Sequence, residues 1–224
     1  MDNNLKDLIK IKIENIISAL EKNNMIGIYA PTCEDAVKEV EKLLKDGDTV
    51  SMGGTVSAKE SGVADLIKSG KYNFLDRSAP GLTPEQIHEI YRKTFSANAF
   101  ITSTNAITEN GELYNVDGHS NRVSAMLFGP DKVIVIAGYN KIVRNINEAI
   151  YRVKETAAPA NCVRLSKNTY CKENGRCVSL NNNSSLICDG CTSEDRICSN
   201  YTIMSKQRQK DRVIVILVGE ELGY

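Results

Sequence analysis

Met25-Ile-Gly-Ile-Tyr-Ala-Pro-Thr-Cys-Glu-Asp-Ala-Val-Lys-Glu-Val-Glu-Lys-Leu-Leu44, with Asp48-Thr-Val-Ser-Met-Gly-Gly-Thr-Val-Ser-Ala-Lys-Glu60 close behind it, decides the fold. Met25 to Ala30 is a short apolar run without helical spacing and reads as a strand. Thr32, with Asp35 three positions on, opens a helix that runs to about Leu44 in the manner of a capping box. The same order repeats at once: Asp48 to Met52 is a strand, Gly53-Gly54 a turn, and Ser57 with Glu60 starts a helix toward Lys68. A third unit follows, with Tyr72-Asn-Phe-Leu75 extended and Thr83-Pro84-Glu85-Gln86 opening a helix, where proline suits the first turn because its missing N–H has no partner to lose. Strands alternating with helices imply a largely parallel sheet covered on both faces.

Working outward toward the N-terminus, Leu5, Leu8, Ile9, Ile13, Ile16, Ile17 and Leu20 recur at helical spacing, so residues 3 to 23 form an amphipathic helix. It is expected to lie outside the main sheet as a separate element over 1–24, and its aliphatic stripe needs cover that a homodimer would supply. Toward the C-terminus, Ala99 to Ser103 and Lys132 to Ala137 are buried strands. Between them Ala106-Ile-Thr-Glu109 and Glu112-Leu-Tyr-Asn-Val116 flank Asn110-Gly111, a pair that favours a tight two-residue hairpin and makes the sheet mixed. Ile142-Val143, Ile146, Ala149-Ile150 and Val153 mark a helix. Residues 155 to 210 lose periodicity and include the polar run Asn181 to Ser185, before Arg212-Val-Ile-Val-Ile-Leu-Val218 returns as a last strand. The expected fold is therefore α/β: a mixed, mostly parallel sheet with helices on both faces over 25–224, carrying an irregular cysteine-rich insertion at 162–210.

At 224 residues the chain can bury one full core but not a second catalytic domain. Lysine plus arginine equals aspartate plus glutamate, 28 against 28, which supplies no general attraction to nucleic acid or an anionic membrane. Met1-Asp-Asn-Asn-Leu-Lys is not a basic leader before an apolar run, and no apolar stretch approaches the roughly 20 residues needed to span a bilayer. A cytoplasmic protein is expected. In that compartment clustered cysteines point to metal or redox chemistry rather than to disulfides.

Thr108-Glu-Asn-Gly-Glu-Leu-Tyr-Asn-Val-Asp-Gly-His-Ser-Asn-Arg122 carries the densest chemistry, at strand ends where a rigid sheet holds exposed side chains in place. Glu109 is a candidate nucleophile or general base, although an exposed hairpin glutamate is ordinary. His119 can exchange protons near neutrality, and Arg122 can hold a carboxylate with two parallel hydrogen bonds. Asp117 and Asn121 complete that wall, while His88 reads as a solvent-facing helix residue. Gly53, Gly54 and Thr55 form a strand-to-helix loop that either cradles an anion or simply turns. Asn140 and Lys141 follow the Lys132 to Ala137 strand, so Lys141 can present its ammonium at the same sheet edge. Cys171, Cys177, Cys188, Cys191 and Cys198 fall in one irregular stretch, and Cys188-Asp-Gly-Cys191 has the spacing that lets two thiolates grip one ion. Four thiolates suit zinc or an iron–sulfur cluster alike. Cys33 and Cys162 read as isolated thiols.

Gly111 to Arg122, read on into Phe128-Gly-Pro-Asp-Lys-Val-Ile-Val-Ile-Ala-Gly-Tyr-Asn-Lys141, resembles the LUD-domain, or lactate-utilisation protein, family. Arg152-Val-Lys154, Ala157-Ala-Pro-Ala-Asn161, Gly175-Arg-Cys177, Asp195-Arg-Ile-Cys198 and Val218-Gly-Glu-Glu-Leu-Gly-Tyr224 continue the likeness in order. The resemblance implies a sheet of the kind shared by sugar-phosphate isomerases and coenzyme A transferases. It also implies a part in oxidising L-lactate or a related 2-hydroxy acid, alongside iron–sulfur partner proteins. Glu109-Asn-Gly111 is similar to a transferase signature whose glutamate accepts the acyl group, so a transferase- or isomerase-like enzyme acting through Glu109 is the rival expectation, and a non-catalytic metal-binding scaffold a third. No NAD or FAD fingerprint is present, and the insertion departs from the family's compact cysteine pattern by the extra residues between Cys177 and Cys191.

Overall fold

The computed structural model describes residues 2–182 and 186–224; Asn183 to Ser185 of the polar run lie outside them. A wholly parallel six-stranded sheet forms the core. In chain order β1 is Ile26–Ala30, β2 Thr49–Met52, β3 Asn73–Leu75 and β4 Ala99–Thr102, followed by β5 Ala106–Thr108, β6 Leu113–Asp117, β7 Lys132–Gly138, β8 Ile142–Val143, β9 Asn200–Met204 and β10 Val213–Val218. The main sheet runs β1-β10-β7-β4-β2-β3, with Val215 beside Val135 and Ile101 beside Ile134. The mixed pairing expected of this sheet belongs instead to a second, four-stranded sheet, β8-β5-β6-β9, in which β5 and β6 are antiparallel.

The helices are α1 Asn3–Lys22, α2 Cys33–Leu43, α3 Val56–Glu60, α4 Val63–Ile67, α5 Pro84–Thr94, α6 Asn121–Leu127, α7 Ile146–Arg152, α8 Ala158–Arg164 and α9 Tyr170–Asn174. Strand alternation sorts the core into two layers. Val133, Val135, Val213, Val215 and Leu217 face Ile9, Ile13, Ile16 and Leu20 of α1 and Met126 of α6. Ile134, Ile136, Ile214, Ile216 and Val218 face Ala36 and Val40 of α2, Ala58 of α3 and Ile67 of α4. Apolar runs without polar alternation are what strands buried on both faces require. The Ile9, Ile13, Ile16 and Leu20 part of the α1 stripe is therefore covered by the sheet itself, which layers this helix on the domain, while Leu5 and Leu8 near its start stay exposed. Gly27 permits the contact, since a Cβ there would lie 2.9 Å from the Cα of Ile17.

Two boundaries differ from expectation for local reasons. Ile142-Val143 pairs with Ile107-Thr108 as β8, and the helix begins only after Asn145, whose side chain accepts from the N–H of Glu148. The stretch expected to be irregular from 155 remains helical through Arg164: α7 passes through a π-helical segment, Val153–Ala157, directly into α8. Pro159 lacks the N–H that an uninterrupted α-helix would use there, and a wider turn precedes it. Among the described residues no helix is long and apolar enough to cross a membrane.

Candidate functional site

Connections from β2 and β4 leave the sheet in opposite directions, β2 outward to β3 and β4 back across the sheet toward β7. A crevice opens at such a switch point beyond the carboxyl ends of the strands. Here it is a cavity of about 380 Å³, lined from β2 by Gly54 and Thr55, from β4 by Ser103, Thr104 and Asn105, and from the turn after β7 by Lys141. Val116, Asp117, His119, Asn121 and Arg122 line it from β6 and the start of α6. Val153, Ala158, Asn161 and Arg164 line it from the α7–α8 helix, and Ile197 and Cys198 from the insertion.

Arg122 lies in this wall with its donors turned into the protein. Nη1 donates to Ser103 O at 3.0 Å and Asn115 Oδ1 at 2.6 Å; Nη2 donates to Val116 O at 3.1 Å and Asn105 Oδ1 at 3.2 Å. Nε faces Asp117 Oδ1 at 3.7 Å. Four of the five N–H groups of the guanidinium are thereby hydrogen-bonded and the fifth, on Nε, is turned to Asp117, so in place of the expected two-pronged grip on a ligand carboxylate the side chain acts as a strut that ties β4, β6 and α6 together. Desolvation pulls its pKa down and Asp117 opposes the shift. Asp117 is equally engaged, its Oδ2 accepting from the backbone N–H groups of Arg122 and Val123 at 3.2 Å.

Lys141 is 3% exposed, and its Nζ donates to Ser57 Oγ at 2.9 Å and Ser103 Oγ at 3.0 Å. Burial first, then the guanidiniums of Arg152 and Arg122, pull its pKa down to about 7. Asn140 does not line the cavity. Its amide donates to Gly223 O at 3.1 Å and accepts from Leu222 N–H at 3.1 Å, pinning the segment after β10 against Ser57. Gly138 must be glycine for that docking, because a Cβ would meet Glu220 O and Leu222 N at 2.5 Å.

The glycine pair divides in role. Gly54 borders the cavity, where a Cβ would lie 2.9 Å from Arg77 Nη2; Arg77 donates to the Tyr91 hydroxyl at 2.9 Å and stacks over its ring. Gly53 lies under Arg122 and Phe100 and leaves them room. Thr55 caps α3, accepting from Ala58 N–H. His119 stands exposed at the rim.

Glu109 is not in the site. It is exposed at the tip of the β5–β6 hairpin, which is a three-residue loop closed by Gly111 N–H to Thr108 O, with Gly111 at φ +79°. A Cβ on Gly111 would lie 2.9 Å from the backbone of Ala19 and Leu20, and Asn110 O accepts from Asn23 Nδ2 at 2.8 Å. The Glu-Asn-Gly sequence thus docks the hairpin onto the end of α1, a role its spacing does not announce.

A second, smaller cavity of about 30 Å³ adjoins the first through Val153, Ala158, Ile197 and Cys198. Cys162, Cys171, Cys177, Cys191 and Cys198 line it. Cys188 does not; it is exposed, with its carbonyl held by Arg196. Cys162, read as isolated, is drawn in because the π-helical segment keeps Val153, Ala158 and Cys162 on one face of a continuous helix. The apolar spacing of those three residues was the available signal. Arg196 organises the shell, donating to the carbonyls of Cys198, Cys191 and Cys188 and to the Tyr201 hydroxyl at 2.9, 3.0, 2.6 and 2.8 Å. Burial and the neighbouring Cys162, Cys171 and Cys177 push the Cys198 thiol up to about 12, and burial lifts Cys162 to about 11. The donor set is all sulfur, which suits zinc or an iron–sulfur cluster. Among the described residues, however, no three His, Cys, Asp or Glu side chains are arranged to hold an ion. Cys33 lies apart, its thiol donating to Glu220.

A crystal structure of a DUF162 family protein from Deinococcus radiodurans is similar to this chain at 15% identity and a TM-score of 0.49, covering 95% of this chain and 97% of that one. None of the curated proteins matches. The family model for the LUD domain matches residues 13–218, from within the first helix to the end of β10, and so takes in both sheets, the insertion and all of the cavity linings but Tyr224. The chain belongs to the LUD domain family.

Proposed function

We propose that the switch-point cavity binds a small carboxylate, a 2-hydroxy or 2-oxo acid such as lactate or pyruvate. Membership of the LUD domain family suggests a part in lactate utilisation in general. The observation that carries the finer reading is the charge of the wall: it holds Arg77, Arg122, Lys141, Arg164 and Lys167, its one lining carboxylate side chain among the described residues, Asp117, is already engaged, and Lys167 is paired with Asp195. A concave site with fixed positive groups favours a compact anion. Since the Arg122 guanidinium is turned into the protein, contact with the carboxylate falls to Arg164 on one side, beside the Lys167–Asp195 pair, and to Gly54, Thr55 and Asn121 on the other. Lys141, Ser103 and His119 face the carbon that bears the oxygen. With no dinucleotide fingerprint in the chain, electrons from a 2-hydroxy acid pass to a partner carrying iron–sulfur centres. A homodimer would use the exposed Leu5, Leu8 and Ile11 of α1.

We further assign the five-thiol cavity as the metal-binding part of the insertion, for zinc or an iron–sulfur cluster, with ligands drawn from Cys162, Cys171, Cys177, Cys191 and Cys198. What supports this is the presence of all five in the lining of one small cavity. Iron and sulfide, or zinc, in anaerobically purified protein tests it, and protein free of both metals removes it.

Calorimetric titration tests the carboxylate reading. Pyruvate and lactate should bind the unaltered chain, and Arg164→Glu, an exposed change that the fold tolerates, should weaken binding by about 10- to 100-fold, the worth of one charge-assisted hydrogen bond. Acids that give no heat with the unaltered chain refute the reading.

A further inference from the structure

Carboxylate binding alone does not account for Lys141. Its amine is buried at the cavity wall between Ser57 Oγ and Ser103 Oγ, and among the described residues it forms no ion pair. The charged groups that act on it come from three elements: Arg152 from α7 and Arg122 from α6 repel its cationic form, and Glu60 from α3 opposes them. Both arginines are fixed in place, Arg152 by donating from Nε to Asn140 O at 3.1 Å and from Nη1 to Asn105 O at 2.7 Å. Neither can swing away. An ammonium here loses hydration and faces two guanidiniums, so near pH 7 about half of the population carries a free lone pair. A lysine freed of its proton by burial and by neighbouring cations is a nucleophile toward carbonyl carbon.

We propose that Lys141, held by Ser57 and Ser103 at the wall of the cationic cavity, condenses reversibly with the C2 carbonyl of a bound 2-oxo acid to form an imine. The proposal rests on the carboxylate reading above and names the reactive group within it. The nitrogen lone pair forms the C–N bond while the carbonyl π pair moves onto oxygen. The nitrogen then gives up its two protons, relayed through the Ser103 and Ser57 hydroxyls, to that oxygen, which leaves as water. No electrons are lost or gained, so the step needs no oxidant. The carboxylate contacts proposed above, Arg164 with Gly54, Thr55 and Asn121, line the same cavity as Lys141 and would hold the acid with its C2 carbonyl within reach of Nζ.

The test is hydride trapping on the full chain. Protein is incubated with pyruvate and sodium cyanoborohydride, which delivers hydride to the imine carbon and leaves a stable secondary amine, and is then examined by intact mass and peptide mapping. A single reduced adduct on Lys141 is expected, forming about fivefold more slowly at about pH 6 than at about pH 7 as the amine gains its proton, and absent from Lys141→Arg. Mapping the unaltered chain locates the adduct without relying on a variant that could misfold. If pyruvate binds by calorimetry yet Lys141 stays unmodified, or the label spreads over exposed lysines, the imine is refuted and the carboxylate reading stands. If pyruvate neither binds nor reacts, both are refuted.

Discussion

Arg122 and Lys141 show how one cavity uses two buried cations differently. Arg122 is satisfied by the carbonyls of Ser103 and Val116 and the amide oxygens of Asn105 and Asn115, so its removal strands acceptors in the β4–β5 connection and in β6. Arg122→Ala should therefore cost about 3–5 kcal/mol of stability in urea unfolding, and Arg122→Lys should recover little, because a point charge with three donors cannot span a planar fork. Lys141 imposes a pH dependence instead. Its pKa falls from 10.5 unfolded to about 7 folded, so the unfolded chain binds the extra proton between those values and folding stability rises with pH across that window. Measured against Lys141→Met, the natural chain should gain up to about 1.4 kcal/mol per pH unit between about pH 7 and about pH 10, with no further change below about pH 6. A flat difference across that range would show the amine to be ordinarily charged.

At the scale of elements, α1 is clamped from two directions. Gly27 of β1 brings it against the main sheet and Gly111 brings the hairpin tip against its C-terminal turn. Gly111→Ala adds a Cβ both at positive φ and against the backbone of Ala19 and Leu20, so it should destabilise by about 1–3 kcal/mol in a urea melt. Glu109→Gln at the same tip should stay within about 0.5 kcal/mol and leave pyruvate titration unchanged; lost binding would return Glu109 to the site. The hairpin was legible from Asn110-Gly111 and its flanking strands. Its loop length and its docking were not, because both depend on a helix about ninety residues away in sequence.

Across the whole molecule, a parallel core carries a second sheet and a cysteine insertion that packs on the α7–α8 helix and on β6 and the turn after it. Arg196 is the tie within that insertion. Arg196→Met should expose 186–199 to limited proteolysis while the urea midpoint of the core shifts little, since local opening need not involve the main sheet. The sequence alone determined the α/β class, the three strand–helix units, the buried central strands and the crowding of polar residues at strand ends, because these follow from the periodicity of apolar residues and from caps and turns a few positions long. It could also name Lys141 and Gly54 as wall residues, since each directly follows a strand of the parallel sheet. Only the tertiary structure decided that Arg122 is a strut, that Glu109 faces solvent, that Cys162 lines the cysteine cavity while Cys188 does not, and that Lys141 is buried within the field of two guanidiniums. Those outcomes depend on which groups from distant segments share a buried volume. Hydrogen-bond satisfaction and desolvation are set by that sharing, and no short stretch of chain records it.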